Sequence, residues 1–141
     1  MSQENVETVR RICALISQDD EAVWDELPSE FVWDFSRRLI DPVVLRGRDQ
    51  VAAWVERERT LWEGGHGDWH PKKLIDSGDK VLAFIRVSGR GKASGVPVEA
   101  DTWNVWTFRD GNLVELTYFG DDRAAAFEAV GLSEQAAHAE S

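Results

Sequence analysis

The chain has 141 residues, enough for one domain with a core of its own. Its 26 acidic residues against 16 basic ones leave a formal charge of −10, which argues against binding nucleic acid or an anionic membrane surface without specificity. A single cysteine, Cys13, leaves no internal disulfide to form, and no apolar run reaches the length of a membrane-crossing helix.

The acidic start, Met-Ser-Gln-Glu-Asn, does not read as a secretory signal, so a cytoplasmic location is expected. Ser2 is placed to cap a helix over residues 3–17, whose Val9, Ile12, Cys13 and Ile16 fall on one stripe. Cys13 on that stripe reads as a buried, inert thiol. Asp19-Asp20 opens a second short helix that Pro28 ends. Residues 30–35 read as a strand, and residues 39–46 as loop plus a short extended piece.

A third helix is expected over residues 48–63, with Val51, Trp54, Val55, Leu61 and Trp62 as its apolar stripe. Glu58 falls in the middle of that stripe. An ordinary account is a stem laid over apolar surface or an ion pair with arginine; the sharper one is a carboxylate pointing into a pocket, and the first is favoured. Gly64-Gly65-His66-Gly67 breaks the pattern. Strands follow over residues 69–76 and 80–88, joined by the turn Ser77-Gly78-Asp79.

The longest strand starts near Val96 and runs into Asp110-Gly111, a two-residue hairpin signal for a type I′ turn. Residues 113–119 return beside it. Alternation puts Ala100, Thr102, Asn104, Trp106 and Phe108 on one face of the long strand. Asp121 or Asp122 caps a last helix to Val130, and residues 133–141 read as a flexible tail outside a single domain over 1–132. The order gives an α+β fold: one curved, largely antiparallel sheet wrapped around the N-terminal helices and a central pocket. A sheet face grouping Val81, Ala83, Ile85, Val87, Trp103 and Val105 would be a large apolar patch, which a homodimer through the outer sheet face would cover.

No histidine spacing suggests a metal, so no metal or cofactor is expected. Asp34 sits among aromatic residues in Val-Trp-Asp-Phe-Ser. Desolvation there would suit general acid–base work; a cap on a turn near Arg37 and Arg38 accounts for it equally well. Asn104 is a polar amide two residues from Trp106 and needs a partner in the protein or in a ligand. Arg86 stands among apolar neighbours, ready to pair with Glu58 or Asp34 or to hold an anionic group. His70 reads as structural. Most of the seven tryptophans read as core, with Trp54, Trp62 and Trp106 bordering the cavity.

Taken in order, several segments resemble the SnoaL-like family of the nuclear transport factor 2-like superfamily. They are Val-Trp-Asp-Phe-Ser, then Leu-Arg-Gly before the third helix, then Gly-Arg-Gly-Lys-Ala-Ser-Gly-Val. Val-Trp-Thr-Phe-Arg-Asp-Gly and Ala-Phe-Glu-Ala-Val-Gly-Leu complete the set. The resemblance implies a cone-shaped α+β barrel with a strongly bent mixed sheet, often dimeric, whose relatives include ketosteroid isomerases, polyketide cyclases, limonene-epoxide hydrolases and non-catalytic binding proteins. Fold does not choose among them. By this resemblance Asp34 is similar to the general-base aspartate of the isomerases, and Asn104 stands where they carry an oxyanion-hole aspartate. Their tyrosine donor would fall near Ile12. The arginine–aspartate arrangement of the epoxide hydrolases is broken, because Arg86-Val87-Ser88 keeps only the arginine.

Two functions are therefore expected. The first is a cofactor-independent acid–base enzyme of isomerase or cyclase type acting on a small apolar or aromatic metabolite. Asp34, Asn104 and Arg86 would be its catalytic residues, and Val32, Trp54, Glu58, Phe84, Trp106 and Tyr118 would bind substrate. The alternative is a non-catalytic small-molecule-binding protein of the same fold.

Overall fold

The computed structural model describes residues 2–132 of the chain, so the expected tail lies outside the described residues. Helix α1 spans Ser2–Ser17, and a 3₁₀ turn over Glu21–Glu26 follows, where the Asp20 side chain accepts the Ala22 N–H. Strands β1 (Val32–Asp34) and β2 (Val44–Arg46) form a short hairpin ahead of α2 (Arg48–Glu58). Then come the long strands β3 (Asp68–Ser77), β4 (Lys80–Arg90), β5 (Pro97–Arg109) and β6 (Asn112–Gly120), and helix α3 (Arg123–Ala129), N-capped by Asp122.

The six strands form one sheet in the order β2-β1-β6-β5-β4-β3. All neighbours are antiparallel except β1 with β6, so the sheet is mixed. Asp110 (φ 52°) and Gly111 (φ 80°) both take positive φ, the turn that lets β5 and β6 pair without splaying. Register shifts at Pro71/Lys73, Trp103/Asn104 and Thr107/Phe108 bend the ladder. An extra residue on one strand increases local twist and curls the sheet around what lies on its concave face.

That face holds the main core. Val9 and Ile12 of α1, Val51 of α2, and Val81, Ala83, Ile85, Trp106, Phe108 and Leu116 of the sheet pack together there. The Cys13 thiol belongs to it too, 1% exposed, and burial pushes its pKa up to about 12. At that value the thiolate is scarcely populated near neutrality and the group is chemically inert.

A second cluster occupies the convex face, where Ala126, Phe127 and Val130 from the region of α3 cover Ile75, Leu82, Trp103 and Val105. Two expectations change here. Helices pack on both faces of the sheet, since α3 covers the convex one, where the sequence order implied a sheet with helices on one face. The apolar patch also dissolves, because Val81 pairs with Trp106 and Ala83 with Asn104. Opposite residues in an antiparallel ladder share a face, so Val81, Ala83 and Ile85 point into the main core while Trp103 and Val105 lie under α3.

The third helix stops at Glu58, five residues early. The Thr60 hydroxyl donates to the Arg57 carbonyl at 2.7 Å, and the chain continues as 3₁₀ turns over Arg59–Leu61 and Glu63–Gly65. Gly64 and Gly65 take φ of 79° and 85°, which a helix cannot accommodate. This irregular segment walls one end of the cavity beneath the helices.

Candidate functional site: a tryptophan-lined cavity

A cavity of about 250 Å³ lies between the concave sheet face and the α1, 3₁₀ and α2 layer. Its apolar wall comes from Ile12, Leu15 and Ile16 of α1, Val51 and Val55 of α2, and Leu113 and Leu116 of β6. Six of the seven tryptophans reach it: Trp24, Trp33, Trp54, Trp62, Trp69 and Trp106. They arrive from β1, β3, β5, α2, the Glu21–Glu26 turn and the extended residue between the two later 3₁₀ turns, so the enclosure depends on the whole fold. Trp33 meets Trp54 edge-on at 5.5 Å and Trp69 edge-on at 5.8 Å, while Phe35 stacks on Trp54 at 5.1 Å. Tilted and edge-on ring contacts of this kind favour fixed geometry beyond the area they bury.

At its depth the cavity carries one unusual polar group. Trp106 is 0% exposed, and among the described residues its indole Nε1 has no hydrogen-bond partner. A buried N–H without a partner costs about 1–3 kcal/mol. That cost disappears if a guest supplies an acceptor.

The rim is charged. Asp19, Asp20 and Glu21 lie between α1 and the 3₁₀ turn, Glu56 and Glu58 on α2, and Arg59 just beyond. Asp19, at φ 51°, ends α1 in the left-handed region and accepts two hydrogen bonds from Arg59, at 2.9 and 3.2 Å. This fork ties the irregular segment to the end of α1. His66 also lines the cavity; its Nδ1 lies 3.1 Å from the Gly67 carbonyl, so Nδ1 carries the proton and Nε2 is left free. Glu58 is half-buried and, among the described residues, has no hydrogen bond or ion pair. The described residues contain no cluster of His, Cys, Asp or Glu able to hold a metal ion, and none of their helices is long and apolar enough to cross a membrane.

The sequence matches the SnoaL-like domain family over residues 9–116. The chain belongs to that family. No curated protein matches it. Among solved structures, Bal32a from a soil-derived mobile gene cassette is 20% identical with a TM-score of 0.73, covering 86% of this chain and 92% of that one. A putative SnoaL-like polyketide cyclase from Jannaschia sp. CCS1 is 20% identical with a TM-score of 0.71, covering 92% and 94%. TerC, co-crystallised with polyporic acid, is 19% identical with a TM-score of 0.71, covering 90% and 97%. At such identities these likenesses establish the nuclear transport factor 2-like fold alone.

On this SnoaL-like scaffold the expected site residues separate. Trp54, Glu58 and Trp106 line the cavity. Tyr118 and Asn104 face each other across β5 and β6 on the concave side but stand outside the cavity lining. Tyr118 packs on Phe35 at 5.7 Å, and the buried Asn104 amide donates to the Thr102 hydroxyl at 3.1 Å. Asn104 thus satisfies its need for a partner inside its own strand.

Asp34, Val32, Arg86 and Phe84 do not join them. Trp33 turns toward the cavity, so its neighbours Val32 and Asp34 turn away, and the Asp34 carboxylate accepts the Ser36 N–H at 2.8 Å. Asp34 is thereby the turn cap that its sequence position equally allowed. Arg86 and Phe84 lie on the convex face. Arg86 forks onto Asp101 at 2.8 and 3.1 Å, and Phe84 stacks on Trp103 at 4.4 Å. Arg86 pairs with neither Glu58 nor Asp34. Cavity residues that the sequence did not single out include Trp24, Trp33, Trp69, His66 and the charged Asp19, Asp20, Glu21, Glu56 and Arg59. Trp33 was one residue from a named candidate, and the alternation of a three-residue strand is too short to tell which of the two points inward. His66 had no signal beyond its flanking glycines.

Proposed function

We propose that the protein binds a small, mainly apolar or aromatic metabolite in the tryptophan-lined cavity. The observation that carries this reading is the enclosure itself, walled by six indoles, with the Trp106 Nε1 buried and, among the described residues, without a partner. A cavity with nothing to bind would fill with side chains, and a buried donor with no guest would be lost at little cost to packing. The wall buries the body of a ligand, and one indole N–H orients it, the usual division of labour in small-molecule sites. A putative polyketide cyclase and a complex with polyporic acid among proteins of this fold agree with a small organic ligand.

Glu58 favours a second reading, cofactor-independent acid–base catalysis of isomerase or cyclase type. A half-buried carboxylate with no partner among the described residues, at a cavity wall, is suited to move a proton on a bound carbonyl compound, and His66 Nε2 is a second proton carrier at the same rim. Asp34 is replaced in this role because it points away from the enclosure. Pairing of two chains across the convex face belongs to the same proposal. It would rest on the strip left open beside α3, where Phe84 stands between Lys72 and the Arg86–Asp101 pair.

The test is intrinsic fluorescence, since six indoles report on the cavity. A panel of aromatic ketones, phenols and quinones should contain a ligand that quenches emission saturably. Trp106→Phe should weaken that ligand about tenfold while leaving the fold intact. Glu58→Gln should abolish turnover of a convertible ligand but preserve its binding. A panel with no saturable quencher removes the binding reading, and an unaltered rate in Glu58→Gln removes the catalytic one.

A further inference from the structure

Resting on the binding reading above, we infer that the ligand is a cation: an aromatic or apolar body with an acceptor atom for Trp106 and a protonated amine or quaternary ammonium at the rim. Three features of the cavity converge on this class. The first is the charge of the lining. Asp19, Asp20, Glu21, Glu56 and Glu58 supply five carboxylates, and Arg59 is the single guanidinium among the lining residues. That guanidinium is already committed, forked onto Asp19 with Glu56 3.6 Å away. Glu58, without a partner among the described residues, is left to meet a guest. A carboxylate guest would be repelled by this rim, and an uncharged one would gain nothing from it.

The second feature is the wall. Indole faces carry negative potential and attract ammonium groups more strongly than other aromatic rings do. Trp24 and Trp62 stand among the rim residues, so the passage from charged rim to apolar depth is itself aromatic. The third is the orphan donor. Trp106 is a lining residue whose buried Nε1 has no partner among the described residues and can only donate. It calls for an ester, ketone, ether or similar oxygen on the deep part of the molecule. An N–H in the depth and carboxylates at the rim set a direction: acceptor inward, cation outward.

The probes are three molecules that share one body. Benzoylcholine carries the ring, the carbonyl and a quaternary ammonium. Its uncharged carbon isostere is 3,3-dimethylbutyl benzoate, and 3-benzoyloxypropanoate is the anion. Binding to the full chain is followed by tryptophan quenching at low and at high salt. The cation should bind at least tenfold more tightly than the isostere, the anion most weakly, and the cation's advantage should shrink with added salt. Glu21→Gln/Glu58→Gln should erase most of that advantage. Trp106→Phe should weaken the cation and the isostere alike, because both present the same carbonyl. Equal binding of cation and isostere overturns the cationic ligand and leaves the cavity reading standing. Tightest binding by the anion overturns it in the same way. Quenching by none of the three overturns the cationic ligand, while the panel of ketones, phenols and quinones decides the cavity reading.

Discussion

Asp34 and Asp101 show how little a residue's type says about its role. Both lie in strands beside aromatic residues, yet one caps a turn and the other holds an ion pair. The hydrogen bonds from Arg86 hold the Asp101 carboxyl below its ordinary value, down to about 2, with Lys72 adding to the effect. A carboxyl that titrates lower in the folded chain than in the unfolded one stabilises the fold above the usual carboxylate range. That contribution is lost as pH falls from about 4 toward 2. Urea midpoints measured across that range should fall more steeply for the natural chain than for Asp101→Asn. Because the pair is exposed to solvent, the difference should be small and should shrink with salt. Asp34→Asn is expected to leave ligand binding unchanged, since the amide oxygen still accepts the Ser36 N–H and the cavity is untouched; a tenfold loss of affinity would return Asp34 to the site.

At the scale of elements, the cavity mouth depends on one close approach. A Cβ on Gly89 of β4 would lie 2.8 Å from the Trp62 ring, so glycine is what lets that indole lie against the strand. The Trp62–Gly91 bridge and the Lys92 N–H to Leu61 carbonyl bond, 2.9 Å, hold the irregular segment to the same place. Gly89→Ala should therefore push Trp62 out of the cavity wall. The expected cost is about 1–3 kcal/mol of stability, as for other overpacked sites, with a shifted emission maximum and weaker ligand binding. A chain with unchanged emission and affinity would show that Trp62 does not shape the mouth. The strands themselves were legible in the sequence, because long alternating runs between clear turns leave few alternatives, and Asp110-Gly111 fixed the last hairpin. Which face of β4 meets which face of β5 was not. Both strands carry apolar residues on both sides, and the choice rests on register, where a one-residue slip exchanges the two faces. That ambiguity sent Arg86 and Phe84 to the wrong side. Trp54 and Trp106 line the cavity as a helix stripe and the long run of β5 imply, since each fixes orientation over many residues; Glu58 lines it too, where the surface stem or arginine pair was the favoured account.

At the scale of the whole molecule, the two faces of the sheet divide the work. The concave face, with α1, α2 and the irregular segment, builds the complete cavity from one chain. The convex face is half closed by α3, which already buries Trp103 and Val105. Among the described residues, Phe84 and its charged neighbours stand open beside α3, with the Lys72 ammonium 5.3 Å from the Phe84 ring centre. A two-fold contact centred there would need roughly 800 Å² from each chain to be stable, more than one phenylalanine supplies, so charged groups around it must join the interface. Pairing of this kind is weak and sensitive to salt. Light scattering should report twice the chain mass at high micromolar concentration and a falling average on dilution or with added salt. Phe84→Asp should give a monomer that still binds ligand with full affinity, because its cavity is intact. A natural chain that stays monomeric at every concentration would remove the dimer; a Phe84→Asp chain that stays dimeric would move the contact to another surface.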